Sequence, residues 1–129
     1  AAAAAAASGG SVIAVQSTGP DRLYPRECRD LFHQIADSGL VVSPFAPGTS
    51  FTPENAALQR TVCMLRSSAL VVVQAEIRSE ALKVAQAAAE SAKDVYTIPG
   101  SIHCALYKGN HKLLREGAGL VESIHDLGL

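Results

Sequence analysis

Residues 69–98 read ALVVVQAEIRSEALKVAQAAAESAKDVYTI, and the fold class turns on this stretch. It opens with an unbroken apolar run, Ala69–Gln74, and continues as a helical pattern over Arg78–Lys93. Ala81, Ala85, Ala88 and Ala92 fall on one face of that helix, where small side chains let it lie close against a sheet. A second β-rich run, Val95–Ile98, follows, and Pro99-Gly100 closes it. A strand, a helix and a strand in this order form a βαβ unit, whose two strands run parallel. Runs that are apolar throughout, rather than alternating, predict burial on both faces. Ala69–Gln74, the most apolar of them, is predicted to be the central strand.

The same alternation extends in both directions. Upstream, Val12–Gln16 behind Gly9-Gly10 reads as a buried strand. Arg26–Ser38 carries Cys28, Leu31, Phe32 and Ile35 at helical spacing and is stopped by Gly39. Leu40–Ser43 is a second strand, Pro44–Pro53 a surface loop, and Glu54–Ser67 a helix with Leu58, Val62 and Leu65 as its inner stripe. Downstream, Asn110–Glu116 reads as a short helix and Gly119–Val121 as a last strand. The prediction is one α/β domain over residues 1–129: a Rossmann-like, doubly wound, mainly parallel sheet with helices on both faces. An Ala-rich lead-in helix occupies residues 1–8 and a tail residues 122–129.

Composition narrows the function. In 129 residues, 48% hydrophobic and 18% charged side chains supply a core and exclude a disordered chain. Eleven Lys+Arg against twelve Asp+Glu give a net charge of −1, which argues against a basic nucleic-acid coat but leaves room for a local basic pocket. Three Tyr, three Phe and no Trp offer little material for a base-stacking platform. Cys28, Cys63 and Cys104 form no C-x-x-C pair, so neither a disulfide framework nor a zinc site is expected. Reduced thiols and the lack of a signal or membrane-spanning pattern lead us to expect a cytoplasmic protein. His33, His103, His111 and His125 show no metal-ligand spacing, and no cofactor is expected.

In such sheets ligands collect where loops leave the carboxyl ends of strands, here Ser17–Asp21, Ser43–Phe51, Ala75–Ser79 and Pro99–Asn110. The first has Gly19 and Pro20 but no G-x-G-x-x-G, and no G-K-[ST] ends any loop. His103 and Cys104 are adjacent, and their side chains should point apart with no third group to orient them, so no catalysis is expected. Three segments stand out: Ser43–Phe51 with Gly48 and Thr49, then Gln59-Arg60, and Pro99–His111. The last ends in Gly109-Asn110-His111 at a helix N-terminus, flanked by Lys108 and Lys112. Helix N-termini suit phosphates, although turns and caps use the same residue types.

The order of these segments resembles the DprA/Smf family of DNA-processing proteins. The family's G-G-x-T-I-A-V and G-L-D-x-x-Y-P pieces are matched by Gly9–Gln16, Gly19, Asp21 and Tyr24-Pro25. Its S-E-x-P-x-G loop and R-N-R helix correspond to Ser43–Gly48 and Leu58-Gln59-Arg60, its V-V-E-A strand and S-G-S-L helix to Val72–Ala75 and Ser79–Ala85. Its V-F-A-V-P-G and G-x-N-x-L-I-x-x-G-A pieces correspond to Val95–Gly100 and Gly109–Ala118.

The resemblance implies a Rossmann-like domain that binds single-stranded DNA in a basic pocket and forms homodimers. It also implies loading of a RecA-type recombinase in natural transformation and recombination, without enzymatic activity. Carried over, Arg60, Arg78, Lys108 and Lys112 would hold phosphates. Gly48 and Gly109 would allow close backbone approach, and Gln59, Asn110 and His111 would bond to sugar or base edges. The chain departs from the pattern at several points. The family's Gly-Ser-Arg turn is missing or lies ahead of Ala1, Arg60 alone remains of the paired arginines, and Ser79-Glu80-Ala81 replaces S-G-S. These losses keep open a nucleotide-sensing module on the same scaffold. A nucleoside-monophosphate phosphoribohydrolase is a weaker alternative, because Pro99–His103 lacks the P-G-G-x-G-T-x-x-E signature.

Overall fold

A computed structural model describes residues 2–128. The chain gathers into two compact units, Ala1–Cys63 and Met64–Leu129, and each is described by itself.

The first unit opens with helix α1 (Ala2–Ala7), the expected short helix; Ala1 lies outside the described residues. Strand β1 (Ile13–Val15) pairs parallel with β2 (Leu40–Val42) in the register Ile13↔Leu40, Ala14↔Val41, Val15↔Val42. Between them the chain forms a 3-10 turn at Arg26–Cys28 and then α2 (Arg29–Ser38). Ile35 is the buried residue of α2, with Leu31 and Phe32 half-buried beside it. Gly39 ends the helix: its N–H donates to the Ile35 carbonyl at 2.7 Å. A Cβ at residue 39 would stand 2.2 Å from the Val12 carbonyl oxygen, so only glycine lets β2 begin this close to β1.

Helix α3 runs from Pro53 to Arg66. The expected inner stripe is not what is buried. Leu58 and Leu65 are exposed and Met64 is buried.

In the second unit β3 (Ala69–Val72), β4 (Asp94–Thr97) and β5 (Gly119–Leu120) form a parallel sheet in the order β3-β4-β5. Ala69 faces Asp94 and Val72 faces Thr97; Thr97 in turn faces Leu120. Within this sheet β4, and not the more apolar β3, holds the middle position. Helix α4 (Glu80–Glu90) makes the β3–β4 crossover, and α5 (Lys108–Arg115) precedes β5. Ser79 caps α4 by accepting from the Leu82 N–H at 3.3 Å, so the helix begins after Arg78 rather than at it. Leu82, Ala85 and Ala88 form its buried stripe, Ala81 is half-buried, and Ala92 lies beyond the helix end with φ at 56°. Val72, Ala75, Leu82, Ala85 and Leu113 make one core. The expected tail is partly ordered: Ile124–Leu127 form a 3-10 turn closed by a reciprocal Ser123–Asp126 cap.

Candidate functional site

The chemistry at the strand ends of the second unit centres on Asn110. It is completely buried, and its amide is saturated. Oδ1 accepts from the Ala75 N–H at 2.7 Å. Nδ2 donates to the carbonyls of Val72 (3.3 Å), Val73 (3.1 Å) and Ile98 (2.9 Å). One side chain therefore ties α5 to the ends of β3 and β4. Burying an amide costs free energy unless both of its ends are paired, and here both are. Asn110, expected on a sugar or base edge, is here turned inward with no exposed surface.

Gly109 serves the same junction. Its N–H donates to the Ala75 carbonyl at 2.8 Å, and a Cβ there would stand 2.5 Å from that oxygen. The missing side chain lets helix and strand end touch, rather than admitting a ligand. The Lys108 N–H is likewise taken, by the Ala105 carbonyl. The amides of Lys108 and Gly109 at the start of α5 are thus committed inside the protein. His111 Nε2 lies 2.9 Å from the Gly100 carbonyl; a carbonyl only accepts, so this nitrogen carries the proton.

The cations around this junction are not equivalent. Arg78, in the β3–α4 loop, and Lys108, on the first turn of α5, are exposed. Lys112 is half-buried and pairs with Glu116 at 2.8 Å. The hydrogen bond from Lys112 is the main reason that the Glu116 carboxyl sits below its usual range. Glu80, the acid that replaces the family's glycine, is paired to Lys83 at 2.6 Å.

The first unit holds the remaining expected residues. Gly48 has φ at 83° and nothing within 4 Å of where a Cβ would stand. Its N–H donates to Asp21 Oδ1 at 2.7 Å, so this amide ties two loops together and is not offered to a ligand. The same loops are joined by Gly19 N–H to the Thr49 carbonyl (2.9 Å) and Ser43 Oγ to the Thr18 carbonyl (2.6 Å). Gln59 Nε2 donates to the Val15 carbonyl, fastening α3 to the end of β1 rather than reading a base. Arg60, half-buried, follows it on the same helix.

Sequence reasoning missed a groove beside these loops, with a volume of about 950 Å³. Arg22, Arg26 and Arg29 line it, together with Tyr24, Phe51 and the acids Asp21 and Glu27. Tyr24 and Phe51 stack with ring centroids 4.0 Å apart and planes 18° from parallel. Asp21 is held below the usual aspartate range, first by the Gly48 N–H and then by its own amide and Arg22. The signal was present in the sequence: arginines at 22, 26 and 29 recur at spacings of four and three around Tyr24-Pro25.

This architecture and its residues can be set beside known proteins. Residues 1–128 match the family described as DNA recombination-mediator protein A. The chain belongs to that family. It is 36% identical over 124 residues to DNA processing protein DprA of Streptococcus pneumoniae, covering 96% of this chain and 44% of that protein. It is 34% identical over 118 residues to protein Smf of Synechocystis, covering 92% of this chain and 30% of that protein. The chain thus spans less than half the length of these curated relatives. Among solved structures, the X-ray structure of the Streptococcus pneumoniae DprA superposes with a TM-score of 0.91 at 34% identity, over 98% of this chain and 44% of that one. DNA processing protein A from Helicobacter pylori, whose structure concerns its single-stranded DNA binding mode, gives 0.84 at 17% identity, over 98% and 67%. At that identity the second likeness shows the fold alone. These DprA neighbours carry the Rossmann-like α/β fold read from the strand and helix order.

Proposed function

We propose that this chain is the single-stranded-DNA-binding Rossmann-like part of a DNA recombination mediator, acting by binding rather than by catalysis. The observation that carries the reading is the family match across residues 1–128. The structure of the Helicobacter pylori protein concerns its single-stranded DNA binding mode, and the same partner is proposed here. Arg78 and Lys108 are the leading phosphate contacts because both are exposed at the strand ends of the second unit. Arg60 and Lys112 are assigned weaker roles, Lys112 because Glu116 offsets part of its charge. Gly109 and Asn110 act indirectly, by fixing the junction from which Arg78 and Lys108 project. Within the whole protein, this part would serve DNA uptake and recombination in the cytoplasm, as a homodimer that loads a RecA-type recombinase.

The test is fluorescence anisotropy with a labelled oligo-dT strand. Arg78→Glu and Lys108→Glu each weaken binding several-fold while their urea midpoints match the parent. The double variant weakens it further. Equal affinity in parent and double variant, or no binding at tens of micromolar, overturns the proposal.

A further inference from the structure

The groove of the first unit is not among the residues that the DNA-binding reading uses, and it combines two features of different origin. One is an aromatic stack left open to solvent. Tyr24 is 52% exposed and Phe51 36%, so the pair is not core packing, and each ring has accessible surface beyond their mutual contact. A planar ring placed against such a face continues the stack, and every nucleobase has a face that suits it. The other is the set of guanidiniums, Arg22, Arg26 and Arg29, lining the same concavity. Arginine's planar fork matches phosphate oxygens two at a time. Asp21 and Glu27 oppose them, but Asp21 already accepts the Gly48 N–H, and three cations against two carboxylates leave the groove net positive.

The groove is also held in shape before anything enters it. The Arg22 carbonyl accepts from Thr18 Oγ1 at 2.7 Å and from Gln16 Nε2 at 3.1 Å. Thr18 is 2% exposed and Gln16 9%, so two buried side chains fix the backbone that carries the first arginine. Arg22 Nη1 donates in turn to Ser50 Oγ at 3.1 Å, next to Phe51. A site whose walls are tied in advance spends less binding free energy on ordering.

We infer that this groove binds a nucleoside phosphate unit, the base stacking on the Tyr24–Phe51 pair and the phosphate meeting Arg26 and Arg29. A free nucleotide and one nucleotide within a strand present the same chemistry here, so the experiment uses both. Two-dimensional NMR of the labelled 129-residue chain is recorded with AMP, with ribose 5-phosphate and with oligo-dT. The expected result is that AMP or oligo-dT shifts the amides of residues 18–29 and 49–51, while ribose 5-phosphate, lacking a base, shifts them far less. Shifts with AMP identify a free nucleotide as a sufficient ligand, and shifts with oligo-dT alone identify a strand passing over the groove. Tyr24→Leu, which keeps the bulk but removes the ring, weakens the active ligand at least about tenfold. Arg26→Ala with Arg29→Ala does the same without touching the stack. If neither AMP nor oligo-dT moves these amides at millimolar ligand, the inference falls. Oligo-dT moving only residues 78 and 108–112, with AMP leaving the groove amides unmoved, also overturns it and leaves the DNA-binding proposal standing.

Discussion

Replacing Asn110 by Asp changes one atom at the most demanding position in the second unit. The new side chain keeps an oxygen for the Ala75 N–H. It turns the donor that faces the Val72, Val73 and Ile98 carbonyls into an acceptor. With complete burial, the ionised form has three carbonyl dipoles against it and no exposure to bulk solvent. Its pKa therefore rises well above the roughly 3.9 of an unstructured aspartate. In the protonated form one donor hydrogen remains where the amide has two, and the hydrogen bond lost costs about 1 kcal/mol. At neutral pH the group must also stay protonated against its unfolded-state preference. If the folded pKa exceeds about 7, the roughly three-unit difference adds about 4 kcal/mol. The sign follows from a raised folded pKa. Below about pH 4 the deficit is that of the lost hydrogen bond alone, and it grows as pH climbs from the unfolded value to the raised folded one, above which it levels off. Urea unfolding of parent and Asn110→Asp at about pH 4.5 and pH 7.5 measures it. A difference that does not grow with pH, or one below about 0.5 kcal/mol at pH 7.5, refutes the assignment of Asn110 as the tie between α5 and the strand ends.

Two glycines with opposite surroundings should respond oppositely to alanine. Gly109→Ala meets the Ala75 carbonyl at 2.5 Å and should lose at least about 2 kcal/mol in urea unfolding. Gly48→Ala meets no atom within 4 Å and should lose only the left-handed strain of about 1 kcal/mol. Equal losses would contradict the difference in packing. Because Asp21 is held below its usual range chiefly by the Gly48 N–H, the loop tie is present above the unfolded aspartate value and is lost as pH falls through the folded one. In an NMR titration the Gly48 amide should move with a midpoint below about 3.9, and a midpoint above that contradicts the tie.

Much of the fold was legible because burial imposes a pattern on sequence. Strands β1 to β5 fall within the apolar runs at residues 12–16, 40–43, 69–74, 95–98 and 119–121, apart from Asp94 at the start of β4. Helix faces were less legible. Leu58 and Leu65 have the spacing of a buried stripe and are exposed, because periodicity names a face without saying what it meets. The candidate site was legible as segments and not as roles. Gly109 and Asn110 resemble ligand-binding residues in sequence because a polar residue at a strand end looks the same whether it pairs with a ligand or with three carbonyls. The groove escaped notice because Tyr24 and Phe51 are far apart in the chain and come together only when Gly48 and Asp21 join their loops. An overall count of six aromatics diluted a pair that the fold concentrates.

The central claim is that this near-neutral chain binds single-stranded DNA through a few placed cations rather than a basic coat. Oligo-dT affinity across a salt series tests it most directly. Each phosphate contact on a single strand contributes a slope of about −0.7 in log K against log salt. Arg78 and Lys108, with lesser contributions from Arg60 and Lys112, predict a total between about −1.4 and −2.8. A slope near zero, or no measurable binding at low salt, would contradict the account.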